Sequence, residues 1–184
     1  MRRRLPAAPS PAYTLMLGGV PQYDAIDMLL GKYPGPMGAT NILVLAACLL
    51  YLVFRGTVRW SMPVSFFATV ALLAWFFPRS AAGGVASVGY ELATGLLLFS
   101  GIFLLGDPVT TPKREMSKIA FGIAAGIAAM IFRHVGSIEE EITFAILAMN
   151  AMVWGFDMTG ERIAGFFRRK RLGLRKDTKI QKKA

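Results

Sequence analysis

The feature that most constrains this chain is a succession of apolar runs separated by short polar or charged links. Each run has roughly 15 to 18 residues, which is near the lower limit for a helix that crosses a hydrocarbon core of about 30 Å. In lipid a helix satisfies its own backbone hydrogen bonds, so such runs are expected to be helical. We therefore predict an all-α polytopic membrane protein with about five transmembrane helices, in residues 37–54, 62–77, 88–105, 116–132 and 142–156.

The composition agrees with this class. Of the 184 residues, 54% are hydrophobic and 17% are charged. The net charge is +10, and most of the excess lies in the C-terminal tail, directly after an apolar run. Because no nucleic-acid recognition module accompanies this charge, we expect the tail to contact anionic lipid and not nucleic acid.

A single cysteine and a single histidine limit the metal chemistry of the chain. Cys48 lies in an apolar run, so the chain alone can build neither a disulfide framework nor a cysteine-based metal site. His134 has no partner histidine at ligand spacing, and we expect it in an interfacial loop. No nucleophile–histidine–acid set and no phosphate-cradling glycine loop followed by lysine is present in the sequence.

The chain divides into three regions. Residues 1–37 are predicted to form an extracytoplasmic or interfacial segment, with a short surface helix that Gly31 closes. Residues 38–157 form the five-helix transmembrane domain, and residues 158–184 form a basic cytoplasmic tail. The positive-inside rule places the C-terminus in the cytoplasm and the N-terminal segment outside, although the basic residues 2–4 run against this orientation.

A polar turn with the sequence Gly-Asp-Pro-Val-Thr-Thr-Pro, residues 106–112, separates the third and fourth apolar runs. Its aspartate has two interpretations. Asp107, with the hydroxyls and carbonyls of Thr110 and Thr111, supplies hard oxygen ligands of the kind that sodium prefers. Alternatively, Asp107 caps the turn by accepting backbone amides while the two prolines fix the chain.

Three further polar side chains lie in or beside apolar runs. Glu91 is either a protonatable or cation-path residue, or a carboxylate near enough to the outer boundary to reach the headgroups. Asn150 and Asp157 are separated by two helical turns, so on one continuous helix they share a face. They could line an ion path or bind a flavin edge. Alternatively, Asn150 makes an interhelical hydrogen bond and Asp157 ends the span.

The motifs resemble those of a known family. The stretches GPMGAT (35–40), WSMPVSF (60–66), GDPVTTP (106–112) and AILAMNA (145–151) are followed by Asp157. They occur in the order found in the D subunit of the Rnf complex and the B subunit of the sodium-pumping NADH:quinone reductase. The resemblance covers about residues 15–157 and looks like the C-terminal half of those subunits. It implies a fold similar to one half of a urea transporter. It also implies that the chain acts together with other membrane subunits to couple electron flow to sodium or proton movement.

The resemblance also raises the question of a flavin. In the family, a threonine in a Ser-Gly-Ala-Thr-Pro-Leu pattern carries covalent FMN. In the corresponding stretch of this chain, residues 10–15, Tyr13 stands in place of that threonine. Thr40 follows Gly-Ala but matches a different family position, so it remains a weak candidate for cofactor binding. FMN or riboflavin is therefore implied by the resemblance, while covalent attachment to this chain is not expected.

The leading hypothesis is a subunit of an electron-transfer-coupled cation translocase in the cytoplasmic membrane, not a stand-alone enzyme. Its cation path would involve Asp107, Thr110, Thr111, Glu91, Asn150 and Asp157. The second hypothesis is a flavin-free structural or assembly subunit, which the small-residue face of residues 122–126 would favour. A urea-transporter-like permease half is a third possibility, which the fixed charge bias disfavours.

Overall fold

The computed structural model describes residues 10–81, 83–135 and 141–159. Every regular element in this part is helical, which confirms the predicted all-α class. The helices are α1 (Pro11–Met16), α2 (Ala25–Leu30), α3 (Ile42–Phe54), α4 (Ser61–Phe76), α5 (Gly84–Ala93), α6 (Gly95–Phe99) with a following π-helical turn (Ser100–Leu104), α7 (Glu115–Val135), α8 (Glu141–Ala151) and α9 (Val153–Thr159).

The centre of the bundle is the contact between α4 and α7. Gly122 of α7 lies against Met62 of α4, and one turn later Gly126 lies against Thr69. Because the contacts advance in the same direction along both helices, α4 and α7 are parallel and begin at the same end of the bundle. The core around this contact includes Phe66, Val70, Leu97, Phe121, Ala125 and Ile146.

The third predicted span is a broken helix. Thr94 has extended backbone angles (φ −71°, ψ 103°) between α5 and α6, and the two arms of the span are bent by 64°. The second arm ends in the π-helical turn. In a π-helix the backbone hydrogen bonds join residues i and i+5, so each hydrogen-bonded ring contains one more residue than in an α-helix. The sequence prediction of one continuous helix over residues 88–105 was therefore wrong in detail.

The helices differ in their capacity to cross a membrane. Helix α7, with 21 residues, is long and apolar enough to cross a membrane by itself. The bent pairs α5–α6 and α8–α9 are also long and apolar enough if each pair counts as one span. Helices α3 and α4 are apolar but shorter, at 13 and 16 residues. Residues 37–41, predicted to be helical, precede α3 without joining it, so this helix extends only about 20 Å.

The N-terminal segment contains one helix that the sequence predicted and one that it did not. Helix α2 ends at Gly31, whose positive φ of 74° is the left-handed conformation expected of a glycine that closes a helix. Helix α1 is not predicted because prolines surround it and usually break helices. Pro11 occupies the first helical position, where a missing N–H costs little, and Ser10 accepts a hydrogen bond from the Tyr13 amide.

The bundle has two chemically different ends. The arginine end contains Arg79, Glu91 and Arg133, and the N-terminal segment lies there because the Tyr33 hydroxyl is 3.2 Å from the Ala93 carbonyl oxygen. The turn end contains the turn of residues 106–112 and the first residues of α4 and α7. The stretch of α7 from residue 115 to residue 133 separates the ends by about 27 Å.

Candidate functional site

A buried cluster of charges occupies the arginine end. The Glu91 side chain is 0% exposed, and the side chains of Arg79 and Arg133 are 10% exposed. Arg79 Nη1 lies 3.3 Å from Glu91 Oε1, and Arg133 Nη1 contacts Glu91 Oε2. A buried carboxylate is tolerated when it is paired with a positive charge, and the Glu91 carboxylate is paired with two guanidinium groups.

Thr94 connects this cluster to the helix break. Its hydroxyl donates to the Glu91 carbonyl oxygen at 2.6 Å and accepts from Arg133 Nη2 at 2.8 Å. Ser87 also takes part, since its hydroxyl accepts from the Arg79 amide at 3.2 Å. The bend between α5 and α6 is therefore held by the same side chains that pair the buried charge.

Sequence reasoning selects Glu91 but misses its partners. The charge pattern places Arg79 and Arg133 on the same side of the membrane as Glu91, yet in the sequence they resemble ordinary link residues. The sequence does contain one indication of these partners. Burying an isolated carboxylate in an apolar run is costly, so Glu91 is expected to have a cationic side chain close to it. His134, expected in a loop, lies in the last turn of α7, where its Nδ1 is 2.9 Å from the Met130 carbonyl oxygen.

Asn150 lies against the last residue of the π-helical turn, two residues before the turn of residues 106–112. Its Nδ2 donates to the Leu104 carbonyl oxygen at 3.1 Å. Its Oδ1 is buried and has no hydrogen-bond partner in the described part of the chain, and the same holds for the Ser100 hydroxyl oxygen. Unpaired buried polar atoms are costly, so their presence at a π-helical irregularity marks this region for function.

At the turn end, Asp107 is bonded to its own turn. Its Oδ1 accepts from the Val109 amide at 3.2 Å, and its Oδ2 accepts from the Thr110 hydroxyl at 3.3 Å. The Thr111 hydroxyl donates to the Asp107 carbonyl oxygen at 2.6 Å. These contacts are those of a turn-capping aspartate, and they leave the side chain half-buried with further lone pairs.

Asp157 joins the same turn from the other side. Its Oδ1 accepts from the Lys113 amide at 3.0 Å, and the neighbouring Phe156 carbonyl accepts from the Ser117 hydroxyl at 3.3 Å. However, α8 and α9 are bent by 49° at Met152. The expectation of one continuous helix from Asn150 to Asp157 was therefore wrong.

The structure distributes the predicted polar residues along the bundle and does not gather them into one site. Asp107, Thr110, Thr111 and Asp157 are together at the turn end. Asn150 contacts Leu104, just before that turn, and Glu91 lies at the arginine end. Within residues 10–81, 83–135 and 141–159, no three His, Cys, Asp or Glu side chains are clustered so that they could hold a metal ion. The polar residues thus mark successive positions through an apolar interior.

The structure describes the two stretches for which the resemblance raises the question of a flavin, residues 10–15 and Thr40. Tyr13, 42% exposed, is at the acceptor position, and the hydroxyl of the next residue, Thr14, donates to the Ser10 carbonyl oxygen at 3.0 Å. Thr40 is half-buried in the turn before α3, where the Tyr33 hydroxyl lies 3.2 Å from its carbonyl oxygen.

Comparison with known proteins identifies the relatives of this chain. Residues 7–165 match the model of the NQR2, RnfD, RnfE family. The chain is 31% identical over 129 residues to the D subunit of an ion-translocating oxidoreductase complex of Halorhodospira halophila, covering 70% of this chain and 36% of that protein.

Two other relatives give the same result. The D subunit of a proton-translocating ferredoxin:NAD(+) oxidoreductase complex of Clostridium ljungdahlii is 30% identical over 125 residues, with 68% of this chain and 38% of that protein covered. The D subunit of an ion-translocating oxidoreductase complex of Stutzerimonas stutzeri is 31% identical over 135 residues, with 71% and 37% covered. The match therefore spans little more than a third of the length of these curated relatives.

Proposed function

Because this chain belongs to the NQR2, RnfD, RnfE family, we propose that it is a membrane subunit of an electron-transfer-coupled, cation-translocating oxidoreductase complex. The relatives' names describe such complexes, and one name specifies proton translocation. Other membrane subunits of the complex would be its partners. The location would be the cytoplasmic membrane, with the N-terminal segment outside and the C-terminus inside.

The observation that carries this proposal is the unpaired Oδ1 of Asn150 beside the π-helical turn. Burial in an apolar bundle deprives that oxygen of water, and nothing in the described part replaces it. A dehydrated cation would supply the missing interaction, because sodium prefers amide, hydroxyl and carbonyl oxygens. Ser100 adds a hydroxyl oxygen on the π-helical turn, and broken helices commonly form ion sites in transport proteins.

The two ends would then have different roles. At the turn end, the carboxylates of Asp107 and Asp157 would attract cations toward the path, and Thr110 and Thr111 would add oxygen ligands. At the arginine end, two guanidinium groups face one carboxylate, so the cluster has a net positive charge. Glu91 would act there by holding the arginines in place rather than by coordinating the cation, and the arginines would form an electrostatic barrier.

The test is cation uptake by proteoliposomes that contain the complete complex. Asn150→Leu keeps the side-chain size and removes the oxygen, so fewer cations should be moved per electron transferred. Met149→Leu, at the neighbouring buried position of the same helix, is the matched control and should leave this ratio unchanged. An unaltered ratio in Asn150→Leu, with normal assembly of the complex, would remove Asn150 from the path.

The second candidate function is a flavin-free structural subunit, which the tyrosine at position 13 favours. In that case the chain maintains the family fold and holds partner chains without carrying a redox group. In a denaturing gel, the chain coexpressed with a flavin transferase should show no flavin fluorescence, whereas a relative with the intact threonine motif should fluoresce. A fluorescent band from this chain would contradict the absence of covalent flavin.

A further inference from the structure

A cavity of about 180 Å³ lies at the turn end, between the loop that precedes α4, the turn of residues 106–112 and the first turns of α7. Three of its lining side chains are basic, namely Arg59, Lys113 and Lys118. Among the described residues, no acidic side chain lines it. Lys113 and Lys118 come from one stretch at the start of α7, and the fold brings Arg59, from the loop before α4, next to them.

Two helix N-termini meet at the same cavity. Because α4 and α7 are parallel, the first turn of α4, with Met62 in the cavity wall, lies beside the first turn of α7, with Lys118 in the wall. The first amide groups of a helix have no acceptor within the helix, and the helix dipole makes this end positive. Both backbone elements therefore add to the positive potential of the three side chains.

The charges around the cavity are only partly neutralised. Glu115 is shared by two cations, since its Oε1 is 2.5 Å from Arg59 Nη1 and 3.6 Å from Lys118 Nζ, while its Oε2 accepts from the Ser61 hydroxyl at 2.9 Å. The Lys118 side chain is only 12% exposed, although its one carboxylate neighbour among the described residues is this distant, shared oxygen. In the same part of the chain, Lys113 has no carboxylate partner for its ammonium group.

We propose that this cavity binds a phosphate group through the ammonium groups of Lys118 and Lys113, beside the positive N-terminal end of α7. A phosphate has several acceptor oxygens and a negative charge, which match a nearly buried ammonium group and a helix N-terminus. The volume of about 180 Å³ is below the roughly 300 Å³ of pockets that enclose a drug-sized ligand. The cavity therefore fits a phosphate and its nearest atoms, and not a whole nucleotide.

Two sources provide the same chemistry, an anionic lipid headgroup and free inorganic phosphate. The experiment titrates the full chain in phosphatidylcholine nanodiscs with short-chain phosphatidylglycerol and counts bound lipids by native mass spectrometry. Lys118→Gln should weaken phosphatidylglycerol binding about tenfold or more, because it removes a charge-assisted hydrogen bond in a nearly buried position. Lys113→Gln, at an exposed lining position, should weaken binding in the same direction and is the second variant if Lys118→Gln folds poorly.

Arg114→Gln is the matched control, because it removes one positive charge next to the cavity from an exposed residue that does not line it. It should change binding by much less than Lys118→Gln. Displacement of the lipid by inorganic phosphate would identify free phosphate as a ligand, and failure of phosphate to displace it would assign the cavity to the headgroup. Equal effects of the Lys118, Lys113 and Arg114 substitutions would mean general surface attraction and would overturn the proposal, as would unchanged binding in all of them.

Discussion

The carboxylate of Glu91 is shared by Arg79 and Arg133 in an environment that excludes water. Removing one partner of a buried ion pair destabilises a protein by about 3–5 kcal/mol, because the remaining charges lose their counter-charge. Glu91→Gln should therefore lower the thermal midpoint of the detergent-solubilised protein strongly. Fluorescence-detected size-exclusion chromatography after heating measures this change.

The same substitution at Glu115 provides the control. Glu115 also contacts two cations, but its side chain is 48% exposed, so water and salt screen the interaction. Glu115→Gln should therefore shift the midpoint little. Similar midpoints for the two variants would show that the cluster at the arginine end contributes little to stability.

Asp107 allows the capping and cation interpretations to be separated. Asp107→Asn retains an oxygen that can accept from the Val109 amide, so the turn should form and the complex should assemble. The substitution removes the negative charge, so a higher cation concentration should be needed for half-maximal transport. Transport titrations on the assembled complex measure this. An unchanged half-maximal concentration would leave capping as the role of Asp107.

At the level of single residues, the sequence is sufficient to select unusual polar side chains but not to pair them. Glu91 and Asn150 are conspicuous because they interrupt apolar runs. Their partners are not, since Arg133 resembles an ordinary helix-end residue and the Leu104 carbonyl has no signature in a sequence. Pairing depends on the helix break at Thr94 and on the π-helical turn, which local propensity does not predict.

Among the helices, the contact of α4 with α7 is the most sensitive to side-chain volume. A Cβ atom added at Gly122 would overlap Ser65 Oγ and would lie 2.8 Å from the Met62 carbonyl oxygen. The hydroxyl can rotate away, but the backbone carbonyl cannot. Gly122→Ala should therefore separate the helices and lower the free energy of unfolding by about 1–3 kcal/mol, measured as a loss of thermal stability.

Gly89→Ala is the control on α5. Gly89 is exposed and helical, and a Cβ atom added there would meet nothing within 4 Å. Because alanine is the better helix former by about 0.5–1 kcal/mol, this variant should be neutral or slightly more stable. If Gly122→Ala were as stable as Gly89→Ala, close packing of α4 on α7 would be contradicted.

The small-residue face of α7 shows what can be predicted about a helix from its sequence. The small residues of the stretch Gly-Ile-Ala-Ala-Gly, residues 122–126, correctly predict close helix packing. The same run also suggests contacts with neighbouring chains, whereas α4 of the same chain packs against Gly122 and Gly126. A small-residue pattern therefore indicates that a helix will pack closely, but the identity of its partner depends on the tertiary arrangement.

For the whole molecule, the positions of the charges are more informative than their number. The cations of Arg59, Lys113 and Lys118 lie at the turn end beside Asp107 and Asp157, the carboxylates proposed to attract cations. A phosphate bound in the cavity would offset these positive charges. The two proposals are independent. Together they would allow a cation to approach the turn end, where the lysines would repel it if no phosphate were bound.

The orientation of the molecule provides the remaining test. The positive-inside rule predicts a cytoplasmic position for the turn end, because that end carries Lys113, Arg114 and Lys118 and the basic tail follows the last span. In a Cys48→Ala background, Val109→Cys in the turn and Met37→Cys before α3 introduce single thiols at exposed positions near opposite ends. A membrane-impermeant maleimide should label Met37→Cys in intact spheroplasts and Val109→Cys only in inside-out vesicles. The reverse labelling pattern would show that the molecule has the opposite orientation, with the basic cavity outside. The positive-inside rule would then not account for the charges of the cavity.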